Sequence, residues 1–340
     1  MIDSWRQLLT DKGAVMSPDD TAQYFTANPF PSSEAPCLTL LSGLTAFDLE
    51  GPDAYKFLQG QITQDTKLLE RGYGFIADHC TPKGRVLGTL IALPTHANGA
   101  RLIMPANNAE ALVTNLKKYL VFSKASLNPV PDTQLLLVQG DPSASSPSLQ
   151  SAFDHTQIPQ ERWQAATSAN NHLLRLNSRD LLISVDTAAA SEILKSWRPT
   201  LGGWRHWQKF LIEQGIAWVD ESTREQFTPH HINHQFIDAI SFRKGCYTGQ
   251  EVVARMHYKA TAKSHLYGFK LESESAPELG CIINADSTAA GKLLWRAQSG
   301  QNEWLILADL KIDLADNNLH LATEKAEKLS RFELPYAINK

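Results

Sequence analysis

Apolar residues along the chain fall into short runs whose spacing switches between the two-residue period of strands and the 3.6-residue period of helices. Cys37-Leu38-Thr39-Leu40-Leu41 and Ala46-Phe47-Asp48-Leu49 predict strands, and the turn Gly51-Pro52-Asp53 hands over to a helix carrying Ala54, Phe57 and Leu58. Ahead of them, Trp5, Leu8, Leu9 and Val15 stand at helical spacing, and a breaker-rich stretch from Asn28 to Ser33, with Pro36, predicts an arm. Tyr73 to Asp78 and Arg85 to Ala92 flank Pro82-Lys83-Gly84 as a hairpin, and Arg101 to Met104 adds a strand.

Asn107 is placed to cap the next helix, on which Leu112, Val113, Leu116, Tyr119 and Leu120 form one stripe suited to lying on a sheet. Strands at Leu135 to Val138 and Leu181 to Val185 follow, separated by a loop rich in Ser and Pro from Asp141 to Ser151, and then a helix around Ile193, Leu194 and Trp197. Trp204 to Gln214 predicts another amphipathic helix, ended by Gly215. Beyond Lys263, short apolar runs between turn residues predict a small antiparallel barrel or sandwich. The expected class is α+β, sheets with helices on one face.

At 340 residues the chain exceeds one ordinary core, so two or three domains are expected. With 43% hydrophobic and 20% charged residues it reads as globular rather than disordered. A formal charge of -4 argues against a broad phosphate-tracking surface. No apolar run reaches the roughly 18 to 20 residues that cross a bilayer, and Met1-Ile2-Asp3-Ser4-Trp5 lacks the look of a secretion signal, so a cytoplasmic protein with no membrane partner is expected. Cys37, Cys80, Cys246 and Cys281 lie far apart without a C-x-x-C pair and are expected to be free thiols.

The segment richest in chemistry is Phe242-Arg243-Lys244-Gly245-Cys246-Tyr247-Thr248-Gly249-Gln250-Glu251-Val252-Val253-Ala254-Arg255. Gly245 and Gly249 permit backbone conformations other residues resist, and Gln250 onward has the composition of a helix start with Glu251 in its first turn. Cys246 is thus expected in a bend beside Arg243 and Lys244, where cations and a helix end lower a thiol's pKa while Glu251 opposes them. The alternative is a small buried side chain in a tight turn.

Lys244 to Glu251 resembles the signature octapeptide of the YgfZ-type folate-binding proteins, which are similar in fold to the aminomethyltransferase of the glycine cleavage system (T-protein). Gln226-Phe227-Thr228-Pro229, Asn233, Ile240-Ser241-Phe242, Lys117-Lys118-Tyr119, Val121-Phe122-Ser123-Lys124, Gln59-Gly60-Gln61 and Asp65 resemble other landmarks of that family. The likeness is clear from Leu38 to Lys263 and continues beyond by texture alone.

The resemblance implies two interleaved mixed α/β domains plus a C-terminal antiparallel β-barrel arranged as a three-domain ring around tetrahydrofolate or a derivative. The divisions it suggests are an arm at 1–36, a body at 37–258 (about 37–68 with 125–205, and 69–124 with 206–258) and a barrel at 259–340. It implies a folate-binding accessory role in iron–sulfur cluster assembly or repair and, indirectly through cluster-dependent tRNA-thiolating enzymes, in tRNA modification. A one-carbon transferase and a non-catalytic scaffold for tRNA or a partner protein are the rival readings.

Cys246 is the candidate reactive thiol, and Trp207, Lys244, Arg255, Tyr247, Gln250 and Glu251 are the candidate ligand-binding residues. Trp207 either stacks on a pterin or fills the core of its helix. Lys244 and Arg255 either bind the folate carboxylates or are solvated charges. Two departures matter. Gly84-Arg85-Val86-Leu87-Gly88-Thr89 stands where the transferases carry a catalytic aspartate and has no carboxylate, which argues against aminomethyl transfer. Leu44 stands where an earlier folate-associated tryptophan is found. His230, His231 and His234 are close in sequence but have no evident acidic or thiol partner for a metal, and none is expected.

Overall fold

A computed structural model describes residues 3–32, 35–95, 99–140, 153, 158–196, 200–259 and 262–338. The Ser- and Pro-rich loop expected from Asp141 to Ser151 and the helix residue Trp197 lie outside the described residues.

The chain opens with α1 (Asp3–Asp11) and a hairpin of β1 (Ala14–Met16) and β2 (Ala22–Phe25). Then come β3 (Cys37–Leu40), β4 (Leu44–Glu50), α2 (Ala54–Gln59), α3 (Lys67–Glu70), β5 (Phe75–Cys80), β6 (Val86–Pro94) and β7 (Ala100–Pro105). They are followed by α4 (Ala106–Leu120), β8 (Ser126–Pro129), β9 (Thr133–Gln139), β10 (Ala165–Ser168), β11 (Asn171–Arg175) and β12 (Leu181–Asp186). After α5 (Thr187–Ser196) and β13 (Thr200–Gly202), α6 (Trp204–Glu213) leads to a 3₁₀ turn at Pro229–Ile232 and to α7 (Gln250–Lys259). The last strands are β14 (Ser264–Glu272), β15 (Ile282–Ala285), β16 (Thr288–Gln298), β17 (Glu303–Lys311), β18 (Leu319–Leu321) and β19 (Leu329–Phe332).

Two sheets form the body. One has the order β10-β11-β12-β9-β3-β13 and the other β5-β6-β7-β4-β8, so the chain crosses between them in the short turn from Leu40 to Leu44. Period-two alternation assigns the side chains. Leu135 and Leu137 on β9 join Ile76, Ile91 and Ile103 of the other sheet, with Trp207, Phe210 and Leu211 of α6, in one core. Leu136 and Val138 face the opposite way into a second core with Trp5 and Leu9 of α1 and Ile193 and Leu194 of α5. Phe75, Leu90 and Leu102 likewise turn outward onto α2 and α4. Each sheet therefore has helices on one face and the other sheet on its inner face, which is why its strands read as unbroken apolar runs.

The third sheet, β18-β15-β16-β17-β14-β19, is antiparallel and curls into a half-barrel whose edges touch at the bridge from His320 to Lys328. The expected closed barrel is corrected to this open form. Leu266, Leu294, Leu305 and Leu307 of this sheet pack with Ile212, Val219 and Phe227, so α6 faces both the body core and the half-barrel.

Three local expectations change. Val15 belongs to β1 rather than to the first helix, because Gly13 at φ +84° ends α1. Asn107 lies inside α4, whose first residue follows directly on Pro105, and its amide donates to Asp220 at 3.3 Å. Tyr119 leaves the buried stripe and is 40% exposed.

Candidate functional site

α6 is bounded by Gly203 in extended conformation and Gly215 at φ +65°, and its first two turns carry Trp207, Phe210 and Leu211 inward. The Trp207 ring is 1% exposed, stacks on Phe210 at 5.4 Å and 18°, and meets Trp218 edge to face at 6.0 Å and 77°. Beside these rings is a cavity of about 220 Å³ whose wall also includes Trp163, Phe236 and Tyr336. Both readings of Trp207 thus hold at once: it fills the core and lines an opening.

Polar groups in this wall are few and telling. Trp207 and Trp218 each have a buried indole N–H with no acceptor among the described residues. A buried donor left unpaired costs roughly 1–3 kcal/mol, so two around one cavity favour a ligand with acceptor atoms. Arg162, Asn177 and Gln214 complete the wall, and Arg162 pairs with Asp238 at 3.5 Å. Tyr336 closes it from the C-terminal segment, donating to the Gly215 carbonyl at 2.9 Å and accepting from the Asn233 amide at 3.3 Å. Burial pushes its phenol up.

A cavity of about 150 Å³ holds a benzene ring. One of about 220 Å³ suits a two-ring heterocycle. A larger opening, about 680 Å³, lies between α6 and the half-barrel, but Lys209, Glu213, Lys270, Glu272 and Glu303 make it a hydrated seam of mixed charge without a flat slot.

The segment from Lys244 to Arg255 forms a second place. Gly249 at φ +87° approaches the Thr81 carbonyl so closely that a Cβ would stand 2.6 Å from it. Gly245 has no positive φ and open space around it, correcting the expectation that both glycines are conformationally required. Cys246 is exposed, in a bend before α7 as expected. Lys244 is buried and donates to the carbonyls of Ile62 at 2.8 Å and Gln64 at 2.7 Å, with Nζ 5.1 Å over the Tyr247 ring. Burial pushes its amine down to about 7, against the pull of Asp65. The Gln250 side chain accepts from the Tyr247 amide, and Glu251 and Arg255 are exposed on α7.

None of Lys244, Cys246, Tyr247, Gln250, Glu251 and Arg255 lines the cavity at Trp207. The structure groups the octapeptide against the strand end at Cys80 and the loop from Gly60 to Gln64, and groups the aromatic rings elsewhere. Trp163, Trp218, Phe236 and Tyr336 were not singled out from the sequence because they come from four separated segments with no common spacing.

A carboxylate does stand on the strand beside Gly84 to Thr89. Asp78 on β5 is wholly buried, accepts from the Thr89 hydroxyl at 2.9 Å and lies 2.7 Å from Nδ1 of His234, whose Nε2 faces the Ala217 carbonyl at 3.0 Å. It does not line the cavity. The three neighbouring histidines diverge: His231 bonds Thr228, His234 bonds Asp78, and His230 has both nitrogens unpaired and is pushed down to about 4 by burial. Among the described residues no group of three or more His, Cys, Asp or Glu side chains could hold a metal ion, and no helix is long and apolar enough to cross a membrane.

A scan against protein-family models finds no match. The fold is similar to that of the glycine cleavage system aminomethyltransferase T from Bartonella henselae, with a TM-score of 0.77 over 97% of this chain and 96% of that one at 14% identity. By sequence the chain is 30% identical over 325 residues, 92% of its length and 97% of the other's, to the tRNA-modifying protein YgfZ of Yersinia pestis (strain Pestoides F). It is 31% identical over 323 residues, 91% of its length and 95% of the other's, to the tRNA-modifying protein YgfZ of Pectobacterium carotovorum subsp. carotovorum (strain PC1). With likeness of this depth along nearly the whole chain, the protein belongs to the YgfZ family of tRNA-modifying proteins.

Proposed function

We propose that the protein binds a reduced folate with its pterin ring in the cavity at Trp207, and that it supports tRNA modification as an accessory to iron–sulfur enzymes. The observation that carries the folate reading is a slot of about 220 Å³ walled by aromatic rings, with the unpaired indole N–H groups of Trp207 and Trp218 at its edge. A pterin offers a flat face to the rings and ring nitrogens and a carbonyl as acceptors. Tyr336 from the C-terminal segment, Ile76 and Ile91 from the five-stranded sheet, and α6 all contribute to the wall, which supports a ring of three units about the ligand.

Cys246 serves in this reading as the protein's outward-facing thiol, held by the clamp of Lys244 and Tyr247, for exchange with a partner enzyme. Because it lies away from the aromatic slot, folate and thiol act as two sites, not as one reacting pair. The transferase alternative draws no support from Asp78, since a carboxylate sealed against Thr89 and His234 has no developing charge to stabilise.

Calorimetry with 5-formyltetrahydrofolate on the wild type and Trp207→Ala tests the folate reading. Loss of one stacking surface is expected to weaken binding at least about tenfold. Absence of binding to any reduced folate, or equal affinity in the variant, would overturn it. Restored activity of cluster-dependent enzymes by Cys246→Ala, in cells lacking the native protein, would remove the thiol from the proposed role.

A further inference from the structure

A second cavity, of about 360 Å³, lies on the other side of Leu211, Ile216 and Trp218, residues that line both openings. The aromatic slot is smaller than the roughly 300 Å³ at which clefts begin to take whole drug-sized ligands. A ligand whose ring system fills it must extend beyond it. The adjoining cavity differs in chemistry, because two guanidinium groups, those of Arg205 and Arg296, are in its wall.

Neither arginine has an ion-pair partner among the described residues. Arg205 lies 4.4 Å over the Tyr24 ring and donates to the Gln298 side-chain carbonyl at 3.2 Å, and Arg296 donates to the Pro277 carbonyl. The acid in the same wall, Asp220, has its oxygens engaged by Ser222, Thr223 and Asn107. Each guanidinium presents five donors, so both retain capacity for a carboxylate. In a chain of net charge -4, two half-buried cations without counter-ions around one cavity are conspicuous.

We infer that this second cavity receives a run of carboxylates joined to the ring-bearing end of the ligand, the poly-γ-glutamate tail of a folate, with Arg205 and Arg296 as its carboxylate-binding residues. The inference rests on the folate reading and adds a preference for long-tailed forms. The shared wall gives the route: a pterin held at Trp207 directs its tail past Trp218.

The test is titration of the full protein with the monoglutamate and the pentaglutamate of 5-formyltetrahydrofolate, at low and high salt, repeated on the double variant Arg205→Gln with Arg296→Gln. The wild type should bind the pentaglutamate about tenfold tighter, because each charge-assisted hydrogen bond at a partly solvated site contributes on that order. The preference should shrink as salt rises and approach parity in the double variant, while monoglutamate affinity stays unchanged and reports an intact slot. Equal affinity of the wild type for the two forms, or a preference that survives the double substitution, would overturn the inference and leave the pterin site standing. Failure of both forms to bind would bring down the folate reading and the tail site with it. The salt series on unaltered protein decides the matter if the double variant does not fold.

Discussion

Lys244 and Tyr247, which flank the Gly245-Cys246 pair, are packed ammonium over ring at 5.1 Å, and both are buried while Cys246 between them is exposed. The bend is pinned at its two ends, so the thiol is presented outward by geometry that does not depend on the sulfur itself.

The four thiols should accordingly react in a fixed order. Burial pushes the Cys37 thiol up to about 11 and the Cys80 thiol well above its usual value, and both are sealed. Iodoacetamide labelling of native protein followed by peptide mass spectrometry should modify Cys246 first, Cys281 more slowly, and Cys37 and Cys80 only on unfolding. Early labelling of Cys80 would contradict the packing described.

The depressed Lys244 amine predicts a pH dependence of stability. Its pKa of about 7 in the folded protein lies below the usual 10.5 of the unfolded chain, so between these values the unfolded state binds more protons and stability rises with pH. That contribution is lost as pH falls through 7. Urea unfolding at steps from pH 7 to about 9 should show the difference between wild type and Lys244→Met growing with pH; a flat or falling difference would contradict the burial of the amine.

The two glycines of the octapeptide should behave differently. Gly249→Ala places a Cβ against the Thr81 carbonyl at a positive φ and is expected to cost about 1–3 kcal/mol. Gly245→Ala meets open space and should fall within about 0.5 kcal/mol of wild type. Thermal melts of the pair check this, and equal losses would refute the assigned conformations.

The buried contact of Asp78 with His234 joins β5 to the chain near Ala217 across 156 residues. Removing one partner leaves a polar or charged group uncompensated in the core, so Asp78→Ala or His234→Ala should each cost about 3 kcal/mol or more. The same residues predict no direct effect on folate affinity in whatever fraction remains folded, measured by calorimetry.

Much of the scaffold could be read in the chain because local pattern and tertiary demand agree. Leu135 to Val138 is apolar on both faces, and both faces are buried, one against the neighbouring sheet and one against helices. β10 and β11 escaped because their turn, Ala169-Asn170, contains no glycine or proline even though Ala169 takes φ +49°. Gly245 and Gly249 look alike in sequence, and only the Thr81 carbonyl, far off in the chain, separates them.

The octapeptide could be located from sequence because its residues are contiguous. The aromatic slot could not, beyond Trp207, since Trp163, Trp218 and Tyr336 reach it from separate elements. Lys244 illustrates the remaining gap. Its charge suggested a ligand contact, whereas its ammonium bonds two carbonyls of the loop at Ile62 and Gln64, a pairing set by packing alone.

A crystal structure of the protein grown with 5-formyltetrahydrofolate tests the central claim most directly. The account predicts ring density in the cavity between Trp207, Trp218 and Tyr336, with a ligand acceptor about 3 Å from at least one of the two indole nitrogens. Density for the pterin at Cys246 or elsewhere, with that cavity unchanged at saturating ligand, would contradict it.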